Sequence, residues 1–461
     1  MPSHPFLDET LRIVPRRYRL PVLCAGSEPR HKADPATTLA IVIERARLAI
    51  DHAETPDPAL KGRFTEALTQ MIQEAMRVEA GDPAFQAIVL RHRVAQVREY
   101  ASLAAHGDQD RRLIHATANA IAHPAKQRRM PPGRQRDALV RLHSAASAGS
   151  WAALSEAAHG LLAMPELANE PLVQRGLSRL LDDPALGRLQ RLDALASHEL
   201  VRQYLSLLDR HGPRQGSATA AEQGAASQQR GADVEALATQ ALEALAQRLN
   251  EEEEAQSVYR VVTSMRVPPS IPASPDRAKS EWDAVLLRQS KTTDATTAWD
   301  VCLLVEAKAS ADAATTDLPR LLRGIRLLAH AQESVSYPFE TRQGVVWLRG
   351  ASLKALTTDE AQLAKEVLYC CEGPVEAAPR LLGAASRMQL LSARASLEFA
   401  SALVDGRHAD THGLERVWHQ LLESPRWNPV LCQYPTLRLA RELMVHTDDL
   451  LDTVRRPIGS V

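Results

Sequence analysis

From Thr38 onward, apolar residues recur every three or four positions. Leu39, Val42, Ala46 and Ile50 form one such stripe, and Phe64, Leu68, Met71, Ala75 and Val78 another. That spacing collects apolar side chains on one face of a helix. Further helices are predicted to about Asp209, with turns where Pro and Gly interrupt the pattern at 56–58, 81–83, 107, 131–133 and 165. Residues 36–211 therefore read as an all-helical domain. No repeat length recurs, so an array of identical helical units is not predicted. Residues 1–35 contain Pro2, Pro5, Pro15, Pro21, Pro29 and Pro35 and read as an extended segment. Residues 212–232 are small and polar throughout and offer no apolar face, which predicts a flexible interdomain linker.

The period then changes. Val234, Leu237, Ala241, Leu245 and Leu249 mark a helix over 233–250, with Asp233 as its expected N-cap. After it come three β-type runs, 258–266, 281–288 and 299–309. A helix is predicted over 318–332 and another strand over 344–348. The order is helix, three strands, helix, strand. Residues 351–461 return to helical spacing, as at Met388, Leu391, Ala395 and Phe399. The fold class expected is multidomain and mainly α, with one α/β domain at 233–350 and C-terminal helices after it.

Composition narrows the function classes. The chain has 461 residues, 45% of them hydrophobic and 24% charged, which suits globular domains rather than a disordered chain. No apolar run approaches the roughly 18 residues of a membrane span, and no signal peptide is visible, so a cytoplasmic protein without a membrane partner is expected. Basic and acidic residues balance at 55 and 56. Bulk positive charge is thus not how this chain would bind nucleic acid. Five scattered cysteines, at 24, 302, 370, 371 and 432, suggest reduced thiols. There is no Gly-Lys dipeptide, no G-x-G-x-x-G and no G-x-S-x-G, which removes the phosphate loop, the dinucleotide fingerprint and the hydrolase elbow.

The third predicted strand carries the chemistry. It reads Asp300-Val-Cys-Leu-Leu-Val-Glu306-Ala-Lys308, a continuous apolar run ending in two charges. Side chains alternate along a strand, so Glu306 and Lys308 share a face. The second strand reads Glu281-Trp-Asp283-Ala-Val-Leu-Leu, and if it pairs with the third, Asp283 can stand beside Glu306. Two carboxylates and an ammonium suit phosphodiester hydrolysis: carboxylate oxygens hold Mg²⁺, and a lysine stabilises developing charge. The chain has 8 lysines against 47 arginines, and only Lys308 has an acidic residue two positions before it. An ion pair at a strand end is the other reading of the same residues.

This arrangement resembles the PD-(D/E)XK nuclease superfamily, the restriction-endonuclease-like fold, over residues 233–350. The matching parts are the leading helix, Asp283, Glu306-Ala307-Lys308, the crossover helix and the strand at 344–348. The family's Pro-Asp is here Trp282-Asp283. The resemblance implies that Asp283, Glu306 and the Ala307 carbonyl hold Mg²⁺ or Mn²⁺ and that Lys308 is the catalytic lysine. It also implies an acid on the leading helix, for which Glu243, off that helix's apolar face, is the candidate. The implied activity is metal-dependent cleavage of nucleic acid, DNA before RNA. The helical domain would select substrate or a protein partner, an architecture suited to bacterial defence or a mobile element by analogy. A homodimer would supply two sites for double-strand cleavage. The same fold with a silent site, acting in nucleic-acid binding or assembly, and a purely helical interaction scaffold are the alternatives.

Other charged groups are open to two readings. Arg128, Arg129, Arg134 and Arg136 surround Pro131-Pro132-Gly133 and suit either a phosphate-contacting loop or a solvated one. Arg320, Arg323 and Arg326 on the crossover helix suit either a nucleic-acid contact or a polar face. His408 and His412, four apart, offer half a zinc site and read as a surface cluster. Cys370-Cys371 is expected within a helix, as packing.

Overall fold

The computed structural model describes residues 4–23, 34–213, 217–253, 258–290, 297–376 and 379–456. Cys24 and parts of the N-terminal segment and of the expected linker fall outside these. The chain is mainly helical with one seven-stranded sheet. No described helix is long and apolar enough to cross a membrane. Two compact units divide it. One comprises residues 1–71, 215–395 and 410–461, and the other 72–214 and 396–409.

The first unit contains the sheet. Its strands are β1 (Tyr259–Arg266), β2 (Glu281–Gln289), β3 (Ala298–Lys308), β4 (Ser336–Thr341), β5 (Gly344–Arg349), β6 (Val367–Cys371) and β7 (Met444–His446). β1, β2 and β3 form an antiparallel meander. The other edge of β3 is shared: β5 meets its start at Ala298 and Trp299, while β6 runs parallel to its end from Leu304 to Lys308. β7 adds in parallel outside β6. Residues Trp299 to Glu306 are all buried, as the apolar run requires of a strand covered on both faces.

The helices that pack with the sheet include α1 (Pro5–Ile13), α2 (Ala218–Glu252), α3 (Ala311–Leu328) and α4 (Thr447–Arg455). One apolar cluster joins Val285, Val301, Leu304 and Tyr369 to Leu318, Leu321 and Ile325 of α3. A second joins Leu286, Leu303, Val305 and Leu368 to Phe6 of α1, to Leu242, Leu245 and Leu249 of α2, and to Leu450 of α4. The strands' period-two alternation divides these side chains between two helical layers.

Several expectations are corrected here. The linker expected over 212–232 is helical from residue 218: Ser217 caps Ala220 N–H, and one helix of 35 residues runs on through the helix expected over 233–250. No residue from 218 to 233 is buried, so the absence of an apolar face was real. Alanine-rich sequence with a serine cap sustains a helix without such a face. The N-terminal segment is not simply extended, because Pro5 opens α1, capped by His4. The strand at 344–348 forms as β5, but it is the second arm of a hairpin with β4. The longer parallel neighbour of β3 is β6. Cys370 and Cys371 therefore lie in a strand rather than a helix, and both are buried there. The sheet also extends past residue 350, through β6 and β7.

The second unit is helical. Its helices include Pro83–Arg93, Gly107–Ala122, Arg134–Ser147, Trp151–Leu162, Pro184–Ala196 and Glu199–His211. They open where the sequence placed punctuation: Asp82 and Asp183 cap helices whose first residue is proline. Ile114, Leu142, Leu154, Leu161, Leu177 and Leu189 are buried at its centre.

Candidate active site

The site lies where β3 ends. β2 and β3 pair as far as Ala284 and Val305, with one register shift between Leu286 and Leu287, and beyond that pair the Asp283 side chain takes over. Its Oδ2 accepts the Ala307 N–H at 2.9 Å. Glu306 is fully buried. Its Oε2 accepts from Lys308 Nζ at 2.9 Å and lies 2.5 Å from Lys279 Nζ. Lys308 Nζ also stands 3.7 Å from Asp283 Oδ2 and 3.7 Å from Asp317 Oδ2 of α3. Tyr369 of β6 donates its hydroxyl to Asp317 at 3.2 Å. Asp283, Glu306 and Lys308, chosen from the sequence, thus converge on one point. The backbone contact seen at Ala307 is made by its N–H.

Three carboxylates share two ammonium groups in this pocket. Burial pushes the Glu306 carboxyl up to about 7, with Asp283 adding to the shift and Lys279 and Lys308 opposing it. Burial pulls Lys308 down, but Glu306, Asp283 and Asp317 outweigh it and leave the ammonium above its ordinary value. Burial, followed by Asp317 and Glu306, pushes the Tyr369 hydroxyl up. All three shifts favour retaining protons, as excess negative charge in a desolvated space demands. Oxygen Oε1 of Glu306 is buried and has no hydrogen-bond partner among the described residues. An unsatisfied carboxylate oxygen beside Asp283, in a pocket short of positive charge, fits a hard divalent cation.

Lys279, Asp317 and Tyr369 were missed in the sequence. Lys279 follows the proline-rich loop before β2 and has no acidic residue two before it. Asp317 carries no motif. Tyr369 was hidden by the helical reading of 351–461, although Val-Leu-Tyr-Cys-Cys is a short apolar run of strand type.

The leading-helix acid is corrected as well. Glu243 is exposed, whereas Glu235, two turns earlier, is half-buried. Burial raises its pKa, Arg342 opposes, and the charges of Asp283, Glu281 and Lys308 also act on it. Arg342 Nη2 lies 3.5 Å from its Oε1. Glu235 and Glu243, eight residues apart, are separated by about 80° around the helix.

Arg320 and Arg326 of α3 are exposed, while Arg323 is half-buried and donates from Nε to the Arg277 carbonyl at 2.9 Å. Arg128, Arg129 and Arg134 are exposed and Arg136 half-buried, all in the helical unit. His412 pairs with Glu415 and His419 with Glu423, so each is engaged within its own turn. A separate group that the sequence did not suggest joins Glu372 after β6, His446 ending β7 and Asp448 in the first turn of α4. One ligand atom from each lies within 4.8 Å of the others. The pairing of Cys371 with His446 brings these distant residues together.

Compared with known proteins, the chain matches no family model, no curated protein and no solved structure.

Proposed function

We propose that this chain is a divalent-metal-dependent nuclease that hydrolyses phosphodiester bonds, of DNA before RNA, on a restriction-endonuclease-like core. The observation that carries the reading is one pocket. The chain's single Glu-x-Lys meets Asp283 there, at a strand end, beside a carboxylate oxygen with no partner. The succession α2, β1, β2, β3, α3 and then β6 parallel to β3 also supports it, with β4–β5 inserted as a hairpin. Asp283 and Glu306 would hold Mg²⁺ or Mn²⁺, and the resemblance adds the Ala307 carbonyl. When bound, the ion polarises the scissile phosphate and lowers the pKa of a water.

The chain's own side chains do the rest. Lys308 keeps its proton and presents a fixed positive charge to the charge developing on phosphate. Asp317 anchors that ammonium from α3, and Tyr369 holds Asp317. Burial of Glu306 excludes water from the inner wall, while Asp283, 27% exposed, faces the open side.

The test is incubation of the full-length protein with supercoiled, linear and single-stranded DNA and with RNA. Each is offered in Mg²⁺, in Mn²⁺ and in a chelator. Cleavage that needs the metal is expected. Binding without cleavage under every condition would replace this reading with that of a silent nucleic-acid-binding module.

A further inference from the structure

Lys279 has no place in the mechanism above, yet it makes the shortest contact to its central carboxylate. Its side chain is 5% exposed, and Nζ lies 2.5 Å from Glu306 Oε2. Its backbone N–H donates to the Arg320 carbonyl at 3.2 Å, and its ammonium stands 5.9 Å from the Trp282 ring centroid. α3 makes room for it at Gly324. A Cβ there would lie 2.8 Å from Lys279 Cβ and 3.3 Å from its backbone N and O. Lysine 279 is therefore locked between α3 and β2 and points its charge at Glu306.

The oxygen it reaches is then full. Each carboxylate oxygen offers about two lone-pair sites. On Glu306 Oε2 one faces Lys279 and the other Lys308, at 2.5 and 2.9 Å. On Oε1 neither is used. Two-ion phosphodiesterase centres hold their metals about 3.5–4 Å apart, which needs carboxylate oxygens free on both sides. Here Glu306 has one oxygen to give.

We propose that Lys279 is a positioning residue that stands in for a second metal ion and makes this a one-ion site. It holds the Glu306 carboxylate with Oε1 presented and supplies, as a fixed ammonium, the charge that a second cation would otherwise bring. This rests on the metal-dependent reading of the pocket.

The test counts ions. Full-length protein is titrated with Mn²⁺ by calorimetry and by electron paramagnetic resonance, in the wild type, Lys279→Met and Glu306→Gln. The ions that matter are those lost in Glu306→Gln, which sets aside any bound at Glu372, His446 and Asp448. The wild type is expected to bind one such ion with an uncoupled Mn²⁺ spectrum. Lys279→Met, with its stem length kept and its charge gone, is expected to bind two, with the spectrum of an exchange-coupled pair. Two Glu306-dependent ions in the wild type would overturn the proposal, even if Lys279→Met failed to fold. One ion of unchanged affinity in a folded Lys279→Met would overturn it too, while leaving the nuclease reading intact. No Glu306-dependent ion in the wild type would overturn both.

Discussion

The helical unit and the end of β3 use charge in opposite ways. In the helical unit every described ion pair is arginine with a carboxylate: Arg93 and Arg407 with Asp405, Arg111 with Asp108, Arg188 with Asp110, Arg191 with Glu99 and Arg202 with Glu199. Arg188 is typical. It grips buried Asp110 with two bonds, at 2.6 and 2.8 Å, and nothing is left over. At the end of β3 the pattern reverses. Two of only eight lysines crowd one oxygen of Glu306, three carboxylates share them, and the other Glu306 oxygen has no partner. Arginine's planar fork satisfies a carboxylate completely, whereas lysine is a point charge that leaves the geometry open. A protein that builds structure with arginine and places its scarce lysines on an incompletely satisfied carboxylate marks that carboxylate for chemistry.

Substitutions can break this contrast, and the largest effect belongs at the site. Lys308→Ala and Glu306→Ala should each lower the cleavage rate about 10²–10³-fold, read from time courses in Mg²⁺. Arg188→Ala should do the reverse. It would cost about 2 kcal/mol of stability by stranding Asp110, measured by urea unfolding, and leave cleavage within about twofold at temperatures where the variant is folded. Equal loss of activity in Arg188→Ala and Lys308→Ala would erase the distinction.

Acidity gives a finer test. Burial pushes the Glu306 carboxyl up to about 7. A cation binds the ionised form, so it must displace whatever proton is present. Calorimetry in buffers of different ionisation enthalpy should show Mg²⁺ releasing a proton at about pH 6 and almost none at about pH 8.5. Affinity should fall as pH drops through 7, by up to about tenfold per unit. Proton release independent of pH would mean that the ion does not sit on Glu306.

The smallest effects belong to the exposed arginines. Arg320→Ala and Arg326→Ala should raise KM for DNA a few-fold, weaken its salt dependence and leave kcat unchanged. The same changes at Arg128, Arg129 and Arg134 decide whether that loop touches phosphate or is merely solvated. An unchanged KM and salt slope would assign it to solvent.

How far the sequence could be read differs along the chain for physical reasons. The β1–β3 runs and the acidic–lysine pair were legible because a strand buried on both faces is continuous in its apolar residues, and charges at its end stand out. Period-two geometry then placed Asp283, Glu306 and Lys308 together. The first half of the 218–252 helix was not legible, because it has no buried face and periodicity was the signal sought. Strand β6 escaped since five apolar residues suit either state, and only its partner β3 decides between them. Lys279, Asp317 and Tyr369 reach the site from three separate elements, and Glu372 meets His446 only through the β6–β7 pairing. Contacts of that kind are made by tertiary structure and leave no local spacing to find.

The most direct measurement is nicking of supercoiled DNA in Mg²⁺ by wild type, Lys308→Ala, Glu306→Ala and Arg188→Ala purified side by side. Cleavage by wild type and Arg188→Ala, abolished in the two site variants, is the expected result. Cleavage that survives both Lys308→Ala and Glu306→Ala would contradict the assignment of this pocket as the active site.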